Sequence, residues 1–377
     1  MKYHSSGATR QALTNIGLVL FSIFLSLAII EIAFRLMAYY NDVKTLWAFQ
    51  RLNGTTNIYG PTDPTSLRRI IRPSKNPRIV YELIPNLSLT FLDKPYMTNP
   101  HGYRGPVYSN TKDENVFRLV GLGDSIMWGW GVADNEYYLA LLDVYLNNSA
   151  PDGYSWEIIN TAVPGYNTAM EVETFKEKGV HYKPDIVIIG FFVNDLSLPN
   201  FIRKAENYFD LRRSFAVEYF SSRLMPYHEN FSGGLMDAPP PDIGQHSESD
   251  PLRVPTEYKD MVGFNAYQLS MIKMKELSLE YNFQIVVFTH WRIPDVLKDV
   301  LKNLNIPILE AFPSLETYMI THGIKEYMGS PLTVSKHDGH PSALAHTILA
   351  DVLYNYLQEE DILGQIYKRR GFINVSK

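Results

Sequence analysis

From Phe117 onward the chain alternates short apolar runs with longer stretches in which apolar residues return every three or four positions. The runs "FRLVGLG", "WEIINTAV" from Trp156, "DIVIIGFFV" from Asp185, "FQIVVFTH" from Phe283 and "IPILEA" from Ile306 have the length of strands. Three of these five are apolar on both faces, the pattern of a strand buried inside a parallel sheet. Helical spacing joins Phe264, Tyr267, Met271, Met274, Leu277 and Tyr281, and again Ala345, Ile348/Leu349, Val352/Leu353 and Tyr356. Alternating strand and helix predict an α/β fold, a three-layer α/β/α domain around a central parallel sheet. Such sheets collect ligands at the carboxyl ends of their strands.

The N-terminus follows another pattern. Residues 11–30 carry no charge. At ~1.5 Å per helical residue they reach roughly 30 Å, about one bilayer core. Ser26-Leu27-Ala28 resembles a signal cleavage site, but the apolar run continues past it, so residues 1–40 are predicted as a tail and an uncleaved single-pass anchor. Glu31 and Arg35 are four apart and can pair on one helix face. Lys2 and Arg10 on one side balance Arg35, Lys44 and Arg51 on the other, so the charge count does not orient the helix.

Residues 41–115 read as a stalk and irregular lead-in with a strand in "RIVYELI", Arg78 to Ile84. The α/β/α domain is expected over 116–360 and a C-terminal tail over 361–377. Residues 197–262 interrupt the alternation as an insertion. Its first half carries an aromatic stripe, Phe201, Tyr208, Phe215 and Tyr219, and its second half, "APPPDIGQHSESDP", is poor in apolar residues. An amphipathic helix packed on the domain is the ordinary reading of that stripe; a cap or a membrane-facing surface is the functional one.

Composition narrows the chemistry. The 377 residues carry a net charge of −5 with no long run of one sign, so a nucleic-acid partner is not expected. There is no cysteine, which excludes disulfides, thiolate metal sites and cysteine nucleophiles.

Ser125 follows the first predicted sheet strand, with Gly121 and Gly123 expected to free a sharp turn. A serine hydroxyl needs a base and oxyanion donors to act as a nucleophile. Later strand ends offer them: Gly165 in "NTAVPG", Asn194 in "FFVND", and His340 with Asp338 in "DGHP", where Pro341 fits a first helical position. His337, Asp338, His340 and His346 have poor spacing for a metal site. Gly121-Leu122-Gly123 lacks the third glycine of a nucleotide loop, and Asp124 would repel a phosphate. No cofactor and no metal are expected.

Together "GLGDS", "NTAVPG", "FFVND" and "DGHP" resemble, in order and position, the motifs of the SGNH (GDSL-type) serine hydrolases over about Phe117 to Leu357. "NPHGYRG", Asn99 to Gly105, looks like the lead-in of membrane-anchored members. The resemblance implies a flavodoxin-like sheet, with Ser125 as nucleophile, His340 as base and then acid, and Asp338 orienting His340. It implies an oxyanion hole from the Ser125 and Gly165 N–H groups and the Asn194 amide. Two positions depart from the family. The acid stands two residues before the histidine where many members have three, and Phe192 replaces a glycine. The implied function is an ester hydrolase acting on an ester-bearing small molecule, lipid or polysaccharide, membrane-anchored with its catalytic domain extracytoplasmic. Alternatives are an O-acyltransferase using the same residues and an inactive SGNH-like binding module.

Overall fold

The structure, a computed structural model, describes residues 5–50, 67–199, 202, 208–224 and 254–371. They form two compact units. The first joins α1 (Ser5–Gln50) to a segment of the insertion, 208–224, that ends in α5 (Phe215–Leu224). Helix α1 is thus longer than the predicted anchor. Its stretch Arg10–Tyr40 is long and apolar enough to cross a membrane.

The second unit holds everything else. It opens with two short hairpins, β1 (Ile71–Pro73) with β2 (Tyr81–Leu83) and β3 (Ser88–Phe91) with β4 (Lys94–Met97). Five parallel strands then form the sheet: β5 (Val116–Gly123), β6 (Ser155–Asn160), β7 (Ile186–Gly190), β8 (Gln284–Thr289) and β9 (Ile308–Glu310). All five predicted strands are present, in the order β6-β5-β7-β8-β9. β5 is buried at every position and β7 at all but its last, which explains the apolar sequence of β7 and of β5 apart from Arg118, whose buried guanidinium donates to the Glu157 carboxylate and the Tyr182 carbonyl. The chain leaves β5 to form one neighbour, β6, and returns to form the other, β7. The carboxyl ends of β5 and β7 therefore flank the switch point, where diverging connections leave a crevice.

Helices cover both faces. On one, Val120, Leu122, Val187, Ile189, Ile285 and Val287 pack with α4 (Thr168–Glu177), α6 (Gly263–Tyr281) and α7 (Asp295–Asn303). Tyr267, Met271, Met274 and Leu277 supply the core stripe of α6, as their spacing predicts; Tyr281 is exposed at the helix end. On the other face lie α3 (Tyr138–Asn148), α9 (Ala343–Glu359) and α10 (Ile362–Arg369). There Tyr138 meets Phe288 edge-on and Tyr367 packs against Phe117. The short α2 (Ser125–Trp128), α8 (Phe312–Thr321) and a third hairpin, β10 (Thr333–Ser335) with β11 (Asp338–Pro341), complete the unit.

The expected stalk over 41–115 has a different form. Residues 41–50 continue α1, 51–66 lie outside the described residues, and 67–115 belong to the α/β unit. Ile70, Ile71, Ile79 and Tyr81 at the first hairpin are fully buried and Phe91 and Tyr96 of the second are buried too, so burial of apolar side chains rather than strand length holds these hairpins of three- and four-residue strands in place. The expected tail also begins late, because α10 buries Ile362, Leu363, Ile366 and Tyr367 in the core. In the insertion, Phe201 and the polar "APPPDIGQHSESDP" stretch lie outside the described residues.

Candidate active site

β5 ends at Gly123, and α2 begins two residues later. Gly121 and Gly123 lie within the strand with ordinary backbone angles, so they do not make the turn that their sequence suggests. Their role is space: a Cβ at Gly123 would come within 2.7 Å of Met127 Cβ, and only a glycine lets α2 fold back this closely. Asp124 caps α2 by accepting a hydrogen bond from the Ile126 N–H at 2.9 Å. Ser125 is the first residue of that helix, so its N–H has no place in the i→i−4 ladder.

Ser125 Oγ lies 2.9 Å from His340 Nε2, and His340 Nδ1 lies 2.6 Å from Asp338 Oδ1. A carboxylate only accepts, so Nδ1 carries the proton and Nε2 is left to accept from the serine hydroxyl. The helix expected to start at Pro341 starts later: Asp338–Pro341 is strand β11, and Ser342 caps α9 through the Ala345 N–H. This explains the short spacing between acid and histidine. On a strand, residues two apart share a face, so Asp338 and His340 meet side by side. The His340 N–H also bonds Asp338 Oδ1 at 3.1 Å.

The other Asp338 oxygen accepts the Trp130 indole N–H at 2.9 Å. The same indole stacks on His340, with ring centroids 5.2 Å apart and planes 27° from parallel. Burial alone would raise the Asp338 pKa, but hydrogen bonds from the His340 ring, the His340 amide and Trp130, with the His340 charge, outweigh it and hold the carboxyl at about 2. Trp130 is therefore part of the site. Trp128, by contrast, is buried beneath it among Phe91 and Tyr96.

The lead-in supports this arrangement. Arg104, in the "NPHGYRG" segment, is buried and donates to the carbonyls of Trp128, Gly129 and Val132 and to the Asp134 carboxylate. It thereby pins the loop that carries Trp130. Tyr81 of β2 donates to the Pro164 carbonyl at 2.8 Å, and Tyr166 donates to the Tyr81 carbonyl. These bonds hold the loop containing Gly165. Gly165 has φ +81°, and a Cβ there would press within 2.9 Å of the Tyr81 hydroxyl, so both backbone conformation and space call for glycine. That loop runs beside the end of β5, with the Val163 N–H bonded to the Gly123 carbonyl at 3.0 Å.

Asn194 lies in the 3-10 turn after β7, and its Nδ2 donates to Asp124 Oδ2 at 3.1 Å. One amide hydrogen is thus spent on fixing the side chain, and the second remains. Asp124, the serine's neighbour in sequence, braces both α2 and Asn194. Burial raises its pKa against the lowering effect of the Ile126 N–H, the His340 charge and Asn194. Behind it Glu171 and Asp195 are also buried; desolvation first and neighbouring carboxyls second raise both well above the usual carboxylate range.

His290 lines a small pocket with Asp124, Met127, Tyr138, Gly190 and Phe288. Desolvation, then the His340 charge, lower its pKa to about 3. Phe192 rests its ring against His290, 5.2 Å between centroids. Among the described residues no three His, Asp or Glu side chains are grouped as metal ligands; His346 is buried on α9, accepting the Tyr138 N–H at 3.3 Å.

No protein-family model matches the chain, and no curated protein matches it. Solved structures do match. The crystal structure of TesA is similar over 64% of this chain and 98% of its own, at 12% identity and a TM-score of 0.36. A psychrotrophic esterase, EstA from Pseudoalteromonas sp., is similar over 64% and 97%, at 11% identity and a TM-score of 0.37. A two-domain esterase (CEX) active on acetylated mannans is similar over 65% of this chain and 49% of that one, at 14% identity and a TM-score of 0.40.

Proposed function

We propose that this chain is a serine-dependent ester hydrolase that works through an acyl-enzyme on Ser125. The observation that carries the reading is the continuous hydrogen-bonded chain from Ser125 Oγ through His340 to Asp338, at 2.9 and 2.6 Å, at the sheet's switch point. In the proposed reaction Ser125 Oγ attacks the ester carbonyl while His340 Nε2 takes its proton. Asp338 holds the imidazole in the required tautomer and stabilises the imidazolium. The carbonyl oxygen becomes an oxyanion facing the Ser125 N–H, the Gly165 N–H and the remaining Asn194 amide hydrogen. His340 then gives its proton to the departing alcohol oxygen as the C–O bond breaks. A water, deprotonated by His340, attacks the acyl-enzyme, and the acid leaves as Ser125 recovers its proton. We further read α1 as a single-pass membrane anchor, on the length and composition of Arg10–Tyr40.

A fluorophosphonate probe tests the nucleophile. Mass spectrometry of the digested protein is expected to find the adduct on the Ser125 peptide, and neither Ser125→Ala nor His340→Ala protein is expected to label at a comparable rate. A fully folded wild type that fails to label, or a Ser125→Ala protein that labels as fast, overturns the proposal.

A further inference from the structure

Helix α1 carries two charges at the end of its apolar run, Glu31 and Arg35, paired at 2.7 Å. Charges at the edge of a membrane span are costly unless their hydrogen-bonding capacity is met. Here one stretch of the insertion meets it. The Glu31 carboxylate accepts from the Ser214 hydroxyl at 2.7 Å and from the Phe215 and Ala216 N–H groups at 3.0 and 3.1 Å. It thereby caps the N-terminus of α5 from a different helix. Arg35 donates to the carbonyls of Tyr208, Asp210 and Arg213. Aromatic contacts extend the joint, Phe34 with Tyr219 at 4.6 Å and Tyr39 with Tyr208 at 5.4 Å. Within residues 10–40 the less exposed positions are Ala28, Glu31, Phe34, Arg35 and Ala38, one face at helical spacing. That face is where the segment docks.

The docked segment turns apolar side chains outward. Phe209 and Leu211 are 90% and 91% exposed, and Val217 65%. Arg212 stands among them, 88% exposed and paired with Asp210 at 2.7 Å. α1 itself also exposes apolar side chains, Phe24 at 70% and Leu36 at 62%. Ile30 to Tyr40 rises about 15 Å along the helix, which brackets the headgroup region next to a bilayer core ending near Ile30. Apolar residues beside an ion-paired arginine at that depth have the composition of an interfacial element.

We infer that residues 208–224 form a second membrane contact, an interfacial segment clasped to the anchor by Glu31 and Arg35, with Phe209, Leu211 and Val217 inserted among the headgroups. The partner is the lipid bilayer. The inference rests on the reading of α1 as an anchor, and the test separates the two. The chain contains no cysteine, so one introduced cysteine is the sole labelling site. Full-length F24C, L211C and V217C proteins, labelled with an environment-sensitive fluorophore, are reconstituted in phosphatidylcholine–phosphatidylglycerol vesicles. The Leu211 and Val217 probes are expected to shift to the blue and to be quenched by lipids with a doxyl group near the headgroup. The Phe24 probe is expected to be quenched by doxyl near the chain end. Adding Arg35→Ala should return the Leu211 probe to iodide-accessible emission and leave the Phe24 probe unchanged. If the Phe24 probe is quenched in lipid while those at 211 and 217 are quenched by iodide alone, the interfacial segment is refuted and the anchor stands. If the Phe24 probe also meets only iodide, the anchor reading fails and the inference falls with it. If Arg35→Ala leaves the Leu211 probe in lipid, the clasp is refuted.

Discussion

Trp130→Phe removes one hydrogen bond from the candidate site and little else. The phenyl ring keeps a stacking surface for His340, whose ring lies 5.2 Å from the indole, and keeps contact with Phe91 at 5.3 Å. Only the N–H to Asp338 Oδ2 is lost, leaving that carboxylate with its two bonds from His340. A hydrogen bond to a charged group contributes about 1.5–3 kcal/mol when buried. Asp338 is 28% exposed, so water can partly replace the indole. A cost of about 1–2 kcal/mol follows, and at about 1.4 kcal/mol per tenfold it lowers kcat roughly 5- to 30-fold. The variant's Asp338 pKa should also rise, because a donor that lowers it is gone. The assay is steady-state hydrolysis of p-nitrophenyl acetate, with thermal melting to verify folding. A purely structural contribution of Trp130 is separated by a double-mutant cycle. In an Asp338→Ala background the indole has no carboxylate to hold, so Trp130→Phe should cost little more there. A loss under about twofold, or the same loss in both backgrounds, refutes the positioning role.

Other consequences can be measured separately. Asn194→Ala should lower kcat about a hundredfold or more with a small change in KM, as loss of one oxyanion donor does; an unchanged kcat removes Asn194 from the hole. Arg104→Ala strips the donor from three carbonyls around Trp130 and should lower stability by about 3 kcal/mol, a fall in Tm of roughly 5–10 °C; a melt within about a degree of wild type contradicts this. The His346 pKa is lowered to about 3 by burial first and by the Arg104, His290 and His340 charges after it. Between about pH 6.5 and 3 the unfolded chain binds a proton there that the native state refuses, so this stability is present above pH 6.5 and lost as pH falls. His346→Gln keeps an acceptor for the Tyr138 N–H without titrating. From about pH 7 to 5 its unfolding free energy should gain about 2 kcal/mol relative to wild type, and parallel denaturation curves at the two pH values would show otherwise.

What could be read from the sequence follows from how local each feature is. Buried parallel strands are apolar on both faces, so "FRLVGLG" and "DIVIIGFFV" announce themselves, and the residues at their ends were placed with them. The Asp338–His340 pair was legible as chemistry but not as geometry. A proline after the histidine resembles a helix start, and only the hairpin with Thr333–Ser335 shows that the pair lies on a strand. Gly121 and Gly123 look alike whether they free a turn or make room, and it is Met127 folding back over the strand that decides. Trp130, Arg104 and Tyr81 act through partners remote in sequence, Trp130 lying 208 positions from Asp338. No local pattern encodes that. The Glu31–Arg35 pair could be seen from its spacing; the carbonyls and N–H groups of 208–216 that meet it could not.

In the proposed reaction the acyl group passes through Ser125. Acid quenching during turnover of p-nitrophenyl acetate, followed by peptide mass spectrometry, tests it most directly. Acetyl mass is expected on the Ser125 peptide at early times, discharged when turnover is allowed to finish, with no turnover above background in the Ser125→Ala protein. Undiminished turnover in that variant, or an acyl group trapped on another residue, would contradict it.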